Sequence, residues 1–156
     1  MPITVEHTTH ATDDARSLIE ELEAELSEGY EAHQRHGLNI EQVFQPGIAF
    51  FIARADRQAV GCGGVAFDDG FAEVKRMFVR RSARGSGVAQ AVLARLEQEA
   101  RSKGYKHLML ETGDTLFAAH RLYERAGFRR CQVFGQYRTM RPQQIERSYF
   151  FEKVLV

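Results

Sequence analysis

The chain has 156 residues, 44% of them hydrophobic and 27% charged, the make-up of one folded domain spanning 1–156 and not of a disordered chain. Lys plus Arg number 21 and Asp plus Glu 21, so there is no basic excess of the kind a general nucleic-acid binder carries. The opening MPITVEHTTH has neither a basic n-region nor an apolar run, no stretch is long enough to span a bilayer, and Cys62 and Cys131 form no CxxC; we therefore expect a cytoplasmic protein with reduced thiols and with neither membrane nor nucleic acid as partner.

In chain order, Ile3 to His7 reads as a short strand and Thr12 to Ser27 as a helix. Thr12 suits the cap, Asp13 and Asp14 suit the positive end, and Ala15, Leu18, Ile19, Leu22 and Leu26 share one face. Glu28 to His36 is expected as a second short helix closed by Gly37. Three strand-like runs follow, Ala49 to Ala53, Gln58 to Phe67 and Phe71 to Val79, joined by Arg57-Gln58 and Asp68-Asp69-Gly70 turns, so a meander is the simplest pairing. Ala89, Val92, Leu93, Leu96 and Ala100 make an amphipathic helix that stops at Gly104. His107 to Leu110 is a strand, Leu116 to Ala126 a helix, and Val133-Phe134 and Tyr149 to Leu155 are final strands, with a polar, solvated loop expected from Gly135 to Arg147. The order predicts a mixed α/β fold around one sheet.

The stretch RRSARGSGVAQAVLARLEQEA places Gly85 and Gly87 immediately before a helix. A helix start leaves backbone N–H groups unpaired and partly positive, and glycines let a ligand approach them closely, so the turn suits a phosphate. Lys75, Arg76, Arg80, Arg81 and Arg84 add positive charge just upstream, with no acidic residue among them. It is no P-loop, because no Gly-Lys-Ser/Thr occurs, and no dinucleotide fingerprint, because Gln90 stands where the third glycine belongs. His33 and His36 are spaced one helical turn apart but lack a partner set, so no metal is expected. His120, nearly one turn before Tyr123, is expected on an exposed helix face, with a proton relay as the other reading.

Arg84-Gly85-Ser86-Gly87-Val88-Ala89 resembles the Arg/Gln-x-x-Gly-x-Gly/Ala acetyl-CoA signature of the GCN5-related N-acetyltransferases (GNAT). Downstream, Ala119-His120-Arg121-Leu122-Tyr123-Glu124-Arg125-Ala126-Gly127-Phe128 is similar to that family's A-x-x-LYE-x-x-GF segment. The resemblance is close over about residues 48–134. It implies a mostly antiparallel, twisted sheet whose central strands splay apart around acetyl-CoA. It implies that Arg84, Gly85, Ser86, Gly87, Val88 and Ala89 bind the pyrophosphate, and that main-chain groups near Phe78 and Val79 hold the pantetheine arm and polarise the acetyl carbonyl. A primary amine, of a small molecule or a protein, then attacks the thioester directly. Tyr123 is implied as the acid for the departing thiolate.

Glu73 is the leading candidate for the base, with Glu111 and a water as the alternatives; Glu111 could instead bind the acceptor or fix the splayed strand. Strand periodicity would put Glu73 on one face with Lys75, Met77 and Val79. The resemblance also makes Tyr30 and His33 candidates for lining the acceptor pocket, although plain surface positions are the simpler expectation. Leu116 stands where many members carry asparagine, so one side-chain contact to the pantetheine is expected to be missing. Arg138, Arg141 and Arg147 could favour an acidic acceptor, although a solvated loop is the simpler expectation. The function expected is an acetyl-CoA-dependent N-acetyltransferase without a metal, with a homodimer possible. The rival is a CoA-binding module or sensor without catalysis.

Overall fold

The computed structural model describes residues 2–156. Its strands are β1 (Ile3–Thr8), β2 (Ile48–Ala55), β3 (Gln58–Phe67), β4 (Ala72–Val79), β5 (His107–Gly113), β6 (Arg129–Arg130) and β7 (Ser148–Val154). Its helices are α1 (Asp13–Ser27), α2 (Val88–Ser102), α3 (Phe117–Arg125) and α4 (Pro142–Ile145). The strands form one sheet in the order β1-β2-β3-β4-β5-β7-β6. Every neighbouring pair is antiparallel except β4 with β5.

Two helices on opposite faces bury the sheet. In α1 the Thr12 hydroxyl accepts the Ala15 N–H at 3.1 Å and starts the helix. Its apolar stripe of Ala15, Leu18, Ile19 and Leu22 then packs on Phe50, Ile52, Cys62 and Phe78. In α2, Val88, Val92, Leu93, Leu96 and Ala100 pack on Phe51, Val65, Val74 and Val79. The period-two alternation of β2 is visible in this split: Phe50 and Ile52 face α1, Phe51 and Ala53 face α2. Among the described residues no helix is long and apolar enough to cross a membrane.

The parallel pair at the centre is short. Ala72, Glu73 and Val74 register with Leu108, Met109 and Leu110, and beyond that point the strands part. A bulge in β4 contributes. Gly64 pairs with Lys75 but Cys62 pairs with Phe78, so Arg76 and Met77 together oppose Gly63, and Arg76 takes a φ of 55°. A bulge bends its strand and sharpens its twist. It also breaks the face expected from simple alternation. Met77 and Val79 pack with the α2-side core, whereas Glu73, Lys75 and Arg76 lie on the α1 side.

Three further expectations change. Glu28 to His36 is not a helix but a single 3-10 turn over Ala32–Gln34, because Tyr30 is drawn away to the end of β5, where its hydroxyl lies 2.7 Å from that of Thr115. Val133-Phe134 is not a strand. Arg129 and Arg130 pair with β7 instead, and the Phe134 ring turns inward onto Phe71, Tyr137 and Phe150. Gly135 to Arg147 is not a solvated loop either. It holds a 3-10 turn, Gly135–Thr139, and α4, and it carries Tyr137, which is 0% exposed.

Candidate active site

Where β4 and β5 separate, a cleft of about 140 Å³ opens, lined by both strands, by α3 and by the segment after α1. Backbone groups that β5 would otherwise pair are free along this edge of β4, since the β4–β5 ladder ends at Val74 and Leu110.

Glu73 projects into the cleft from the α1 side and is 5% exposed. Its Oε2 accepts the Tyr137 hydroxyl at 2.6 Å and lies 3.1 Å from the Lys75 ammonium. Lys75 also donates to the Tyr137 oxygen at 2.9 Å and to the His36 carbonyl at 3.4 Å. The buried Glu73 is thus closed into a triad with its own cation. Burial first, then the charges of Glu73 and Glu111, raise the Tyr137 phenol far above its usual range, so it stays a donor.

Glu111, the first residue of β5 beyond its pairing with β4 and still paired with β7, also lines the cleft. It accepts the Ser148 hydroxyl at 2.7 Å and has no cation within ion-pair distance among the described residues. Burial pushes its carboxyl above the ordinary range; Ser148, His36 and Lys75 pull the other way, and Glu73 adds to the rise. A carboxylate displaced toward neutrality is a better proton acceptor near physiological pH than an ordinary one.

Tyr123 reaches the cleft from α3. Its ring packs on Phe128 and Phe151 with centroids at 5.7 and 6.1 Å, while its hydroxyl makes no hydrogen bond among the described residues. Burial, then the Glu111 charge, lift the phenol well above its normal value. It therefore keeps its proton until a strong enough base develops beside it. Leu116, at the asparagine position, caps α3 and lines the cleft with an apolar side chain.

The signature turn leads directly into α2. Gly85 and Gly87 have φ of 83° and 89°, a left-handed backbone that a side chain resists. Gly87 is the N-cap and no side chain caps the helix. The N–H groups from Gly85 to Gln90 meet no acceptor among the described residues. Val88 is buried against the sheet, which fixes the turn. The upstream basic residues do not form a free anion surface. Arg80 pairs with Glu21, Arg76 with Glu23, Arg81 with Glu25 and Glu28, and Arg84 with Glu25. Arg84 further donates to the Val79 carbonyl at 2.9 Å and lies over the Phe78 ring at 5.7 Å. The acidic stripe of α1, distant in sequence, neutralises the patch.

Of the other candidates, Tyr30 lines the cleft, held by Thr115 and by Arg147, whose guanidinium lies 4.3 Å above its ring. His33 does not: the 3-10 turn points it outward, 46% exposed beside Glu31. His120 is buried, not exposed. Its Nε2 lies 2.7 Å from the Gly113 carbonyl and its ring stacks on Tyr149. Arg147 is engaged by Asp114, while Arg138 and Arg141 are exposed. Tyr137 and Arg35 are site residues the sequence did not single out. Both sit in segments without periodicity, and only the distant partners Glu73 and Glu23 give them a place. Among the described residues no three His, Cys, Asp or Glu side chains gather as metal ligands.

The model of the Acetyltransferase (GNAT) family matches residues 15–128. The IAA acetyltransferase of Azospirillum brasilense is 39% identical over 137 residues, which cover 86% of this chain and 90% of that protein. A Klebsiella pneumoniae structure provisionally described as an acyl-CoA N-acyltransferase superposes with a TM-score of 0.79 at 29% identity, over 99% of this chain and 98% of the other. N-acetylglutamate synthase from Neisseria gonorrhoeae, complexed with coenzyme A and N-acetyl-glutamate, shares the fold at a TM-score of 0.76 and 18% identity, over 98% of this chain and 35% of that one. The splayed pair of central strands, the open amides before α2 and these matches lead to one conclusion: the chain belongs to the acetyltransferase (GNAT) family and is an acyl-CoA-dependent N-acyltransferase.

Proposed function

We propose that the protein transfers the acetyl group of acetyl-CoA directly to the primary amine of a small acceptor lying in the cleft between β4 and β5. The observation that carries this reading is the parting of those strands after Val74 and Leu110, which leaves a cleft flanked by Tyr123, Glu111 and Glu73. The diphosphate of the co-substrate would rest on the open N–H groups from Gly85 to Gln90, and the pantetheine arm would run along the free edge of β4 past Val79 and Phe78. A protonated amine has a pKa near 10.4 and cannot attack until it gives up a proton. Glu111 is the better acceptor for it, because Glu73 is already tied to Lys75 and Tyr137.

The freed nitrogen attacks the thioester carbon, the oxyanion meets backbone N–H groups of β4, and the C–S bond breaks. The leaving thiolate takes the proton of Tyr123, and the attacking nitrogen passes its surplus proton to the resulting phenolate, giving an N-acetyl amide and free CoA with the phenol restored. A covalent acetyl-cysteine route has little support. Neither thiol lines the cleft, and burial pushes Cys62 up to about 12 and Cys131 to about 11.

The test is a panel of amines with acetyl-CoA, read by released thiol. At least one amine should accelerate release above the hydrolytic background, with intersecting initial-velocity lines. Parallel lines would indicate a covalent intermediate and overturn direct attack. Acetyl-CoA should also raise the melting temperature, and no shift at saturation would remove the co-substrate assignment.

A further inference from the structure

We infer that the acceptor is a zwitterion, a free amino acid whose carboxylate seats on Arg35 while its amine faces Glu111. The inference rests on the transfer reading above and narrows its acceptor to one chemical class.

Charge accounting inside the cleft carries it. Lys75 is spent: an ammonium has three donors, and its nitrogen already meets Glu73, the Tyr137 oxygen and the His36 carbonyl. Arg147 is spent on Asp114 at 3.0 Å and on the Gly29 carbonyl at 2.7 Å. The His36 ring is engaged as well, with Nε2 2.6 Å from the Gln144 carbonyl.

Arg76 and Arg35, which also line the cleft, share a single carboxylate. Arg76 binds Oε1 of Glu23 and Arg35 binds Oε2 at 2.7 Å. Two guanidiniums on one carboxylate leave one unit of positive charge uncompensated at that end. The Arg76 side chain is only 2% exposed, whereas that of Arg35 is 22% exposed, so Arg35 is the one a ligand can reach. Its Nε is buried and has no hydrogen-bond partner among the described residues, a charged donor lacking an acceptor.

The opposite imbalance lines the same cleft. Glu111 has only the neutral Ser148 hydroxyl as partner and no cation in ion-pair range among the described residues. The cleft therefore has one unmatched positive pole and one unmatched negative pole. A molecule carrying an amine and a carboxylate on one short frame matches both. A simple alkylamine leaves the Arg35 pole empty, and the N-terminus of a protein presents an amide where the carboxylate is required. Guanidinium and carboxylate are also a strong hydrogen-bonded pair in their own right.

Matched triples sharing one side chain test this: a free amino acid, its carboxamide and its decarboxylated amine, drawn from acidic, apolar, aromatic and basic side chains. Each is assayed with acetyl-CoA by thiol release and, separately, by thermal shift with CoA present. The best free acid should exceed its carboxamide and amine in kcat/KM by roughly 10- to 100-fold, the range for a charged hydrogen bond. Arg35→Gln should collapse that ratio towards one, mainly through a higher KM for the acid. The thermal shift should be acid-selective in the native protein and not in Arg35→Gln. Amines or carboxamides used as well as the acid would overturn the zwitterion and leave the transfer reading standing. So would selectivity that survives Arg35→Gln. If no compound releases thiol, the transfer reading fails, and the thermal shift alone decides: acid-selective stabilisation lost in Arg35→Gln supports the Arg35 seat, and its absence overturns it.

Discussion

In the proposed reaction, burial suits Tyr123 and Glu111 to opposite halves of the proton traffic. It keeps the phenol protonated until a thiolate forms, and it brings the carboxyl closer to the working pH. Tyr123→Phe removes only the hydroxyl, which makes no hydrogen bond among the described residues. It should lower kcat about 100-fold with little change in CoA affinity, measured by steady-state kinetics and calorimetry. Glu111→Gln should show a pH signature in stability. The folded carboxyl holds its proton more tightly than the unfolded one, so the native protein loses stability as pH rises from about 4.5 through the raised value, and the loss persists above it. The glutamine variant is spared this loss. Its melting temperature should equal that of the native protein near pH 4 and lie above it at pH 8, read by calorimetry across that range. Its turnover should be low throughout, without the rise towards neutral pH that the native carboxylate produces. A variant that melts lower than the native protein at pH 8 would show that Glu111 is held ionised and structural.

Among the elements, the junction of β3, β4 and α2 holds the turn in register. Gly61 in β3 faces the Phe78 carbonyl and Val88, the first residue of α2, and a β-carbon there would lie 2.9 Å from each. Neither can yield, one being backbone and the other fully buried. Gly61→Ala should therefore cost about 1–3 kcal/mol. Because the displaced atoms border the turn, CoA affinity should fall by more than the acceptor KM rises, which paired titrations would separate. Equal loss in both would mean that the strain spreads through the sheet instead of staying at the turn. The β4 bulge is the other element-scale device. By re-aiming every side chain after Lys75, it lets one strand deliver Glu73 and Lys75 to the cleft while Met77 and Val79 pack beneath α2.

For the molecule as a whole, a net charge of zero conceals a spatial pairing. The glutamates of α1 meet the arginines of β4 and the turn, so the helix is fastened across the sheet by partly exposed ion pairs of small individual worth. In the proposed reading the phosphate end of the site would rely on backbone amides, its arginines being paired with α1. Glu25→Gln would remove the carboxylate that holds Arg81 and Arg84 at 3.2 and 2.8 Å, leaving, among the described residues, Arg81 only Glu28 and Arg84 only the Val79 carbonyl. CoA should then bind a few-fold tighter at low salt, the gain fading near 1 M where charges more than about 3 Å apart are screened. Looser CoA binding at low salt would show instead that the Glu25 pair positions the turn.

Local patterns were enough to place much of this protein. The apolar stripes of α1 and α2, the glycine turn before α2 and the position of Tyr123 on α3 are set by neighbours within a few residues, and such spacing is visible in a linear chain. Tertiary structure alone decided which charges meet. Arg35 and Arg76 converge on Glu23, Tyr137 closes over Glu73, and Glu111 is left without a cation among the described residues. Those outcomes depend on a bulge that reverses strand alternation and on contacts between segments far apart in the chain. Short-range periodicity carries no record of such contacts, because electrostatic balance in a cleft is a property of what folding brings together.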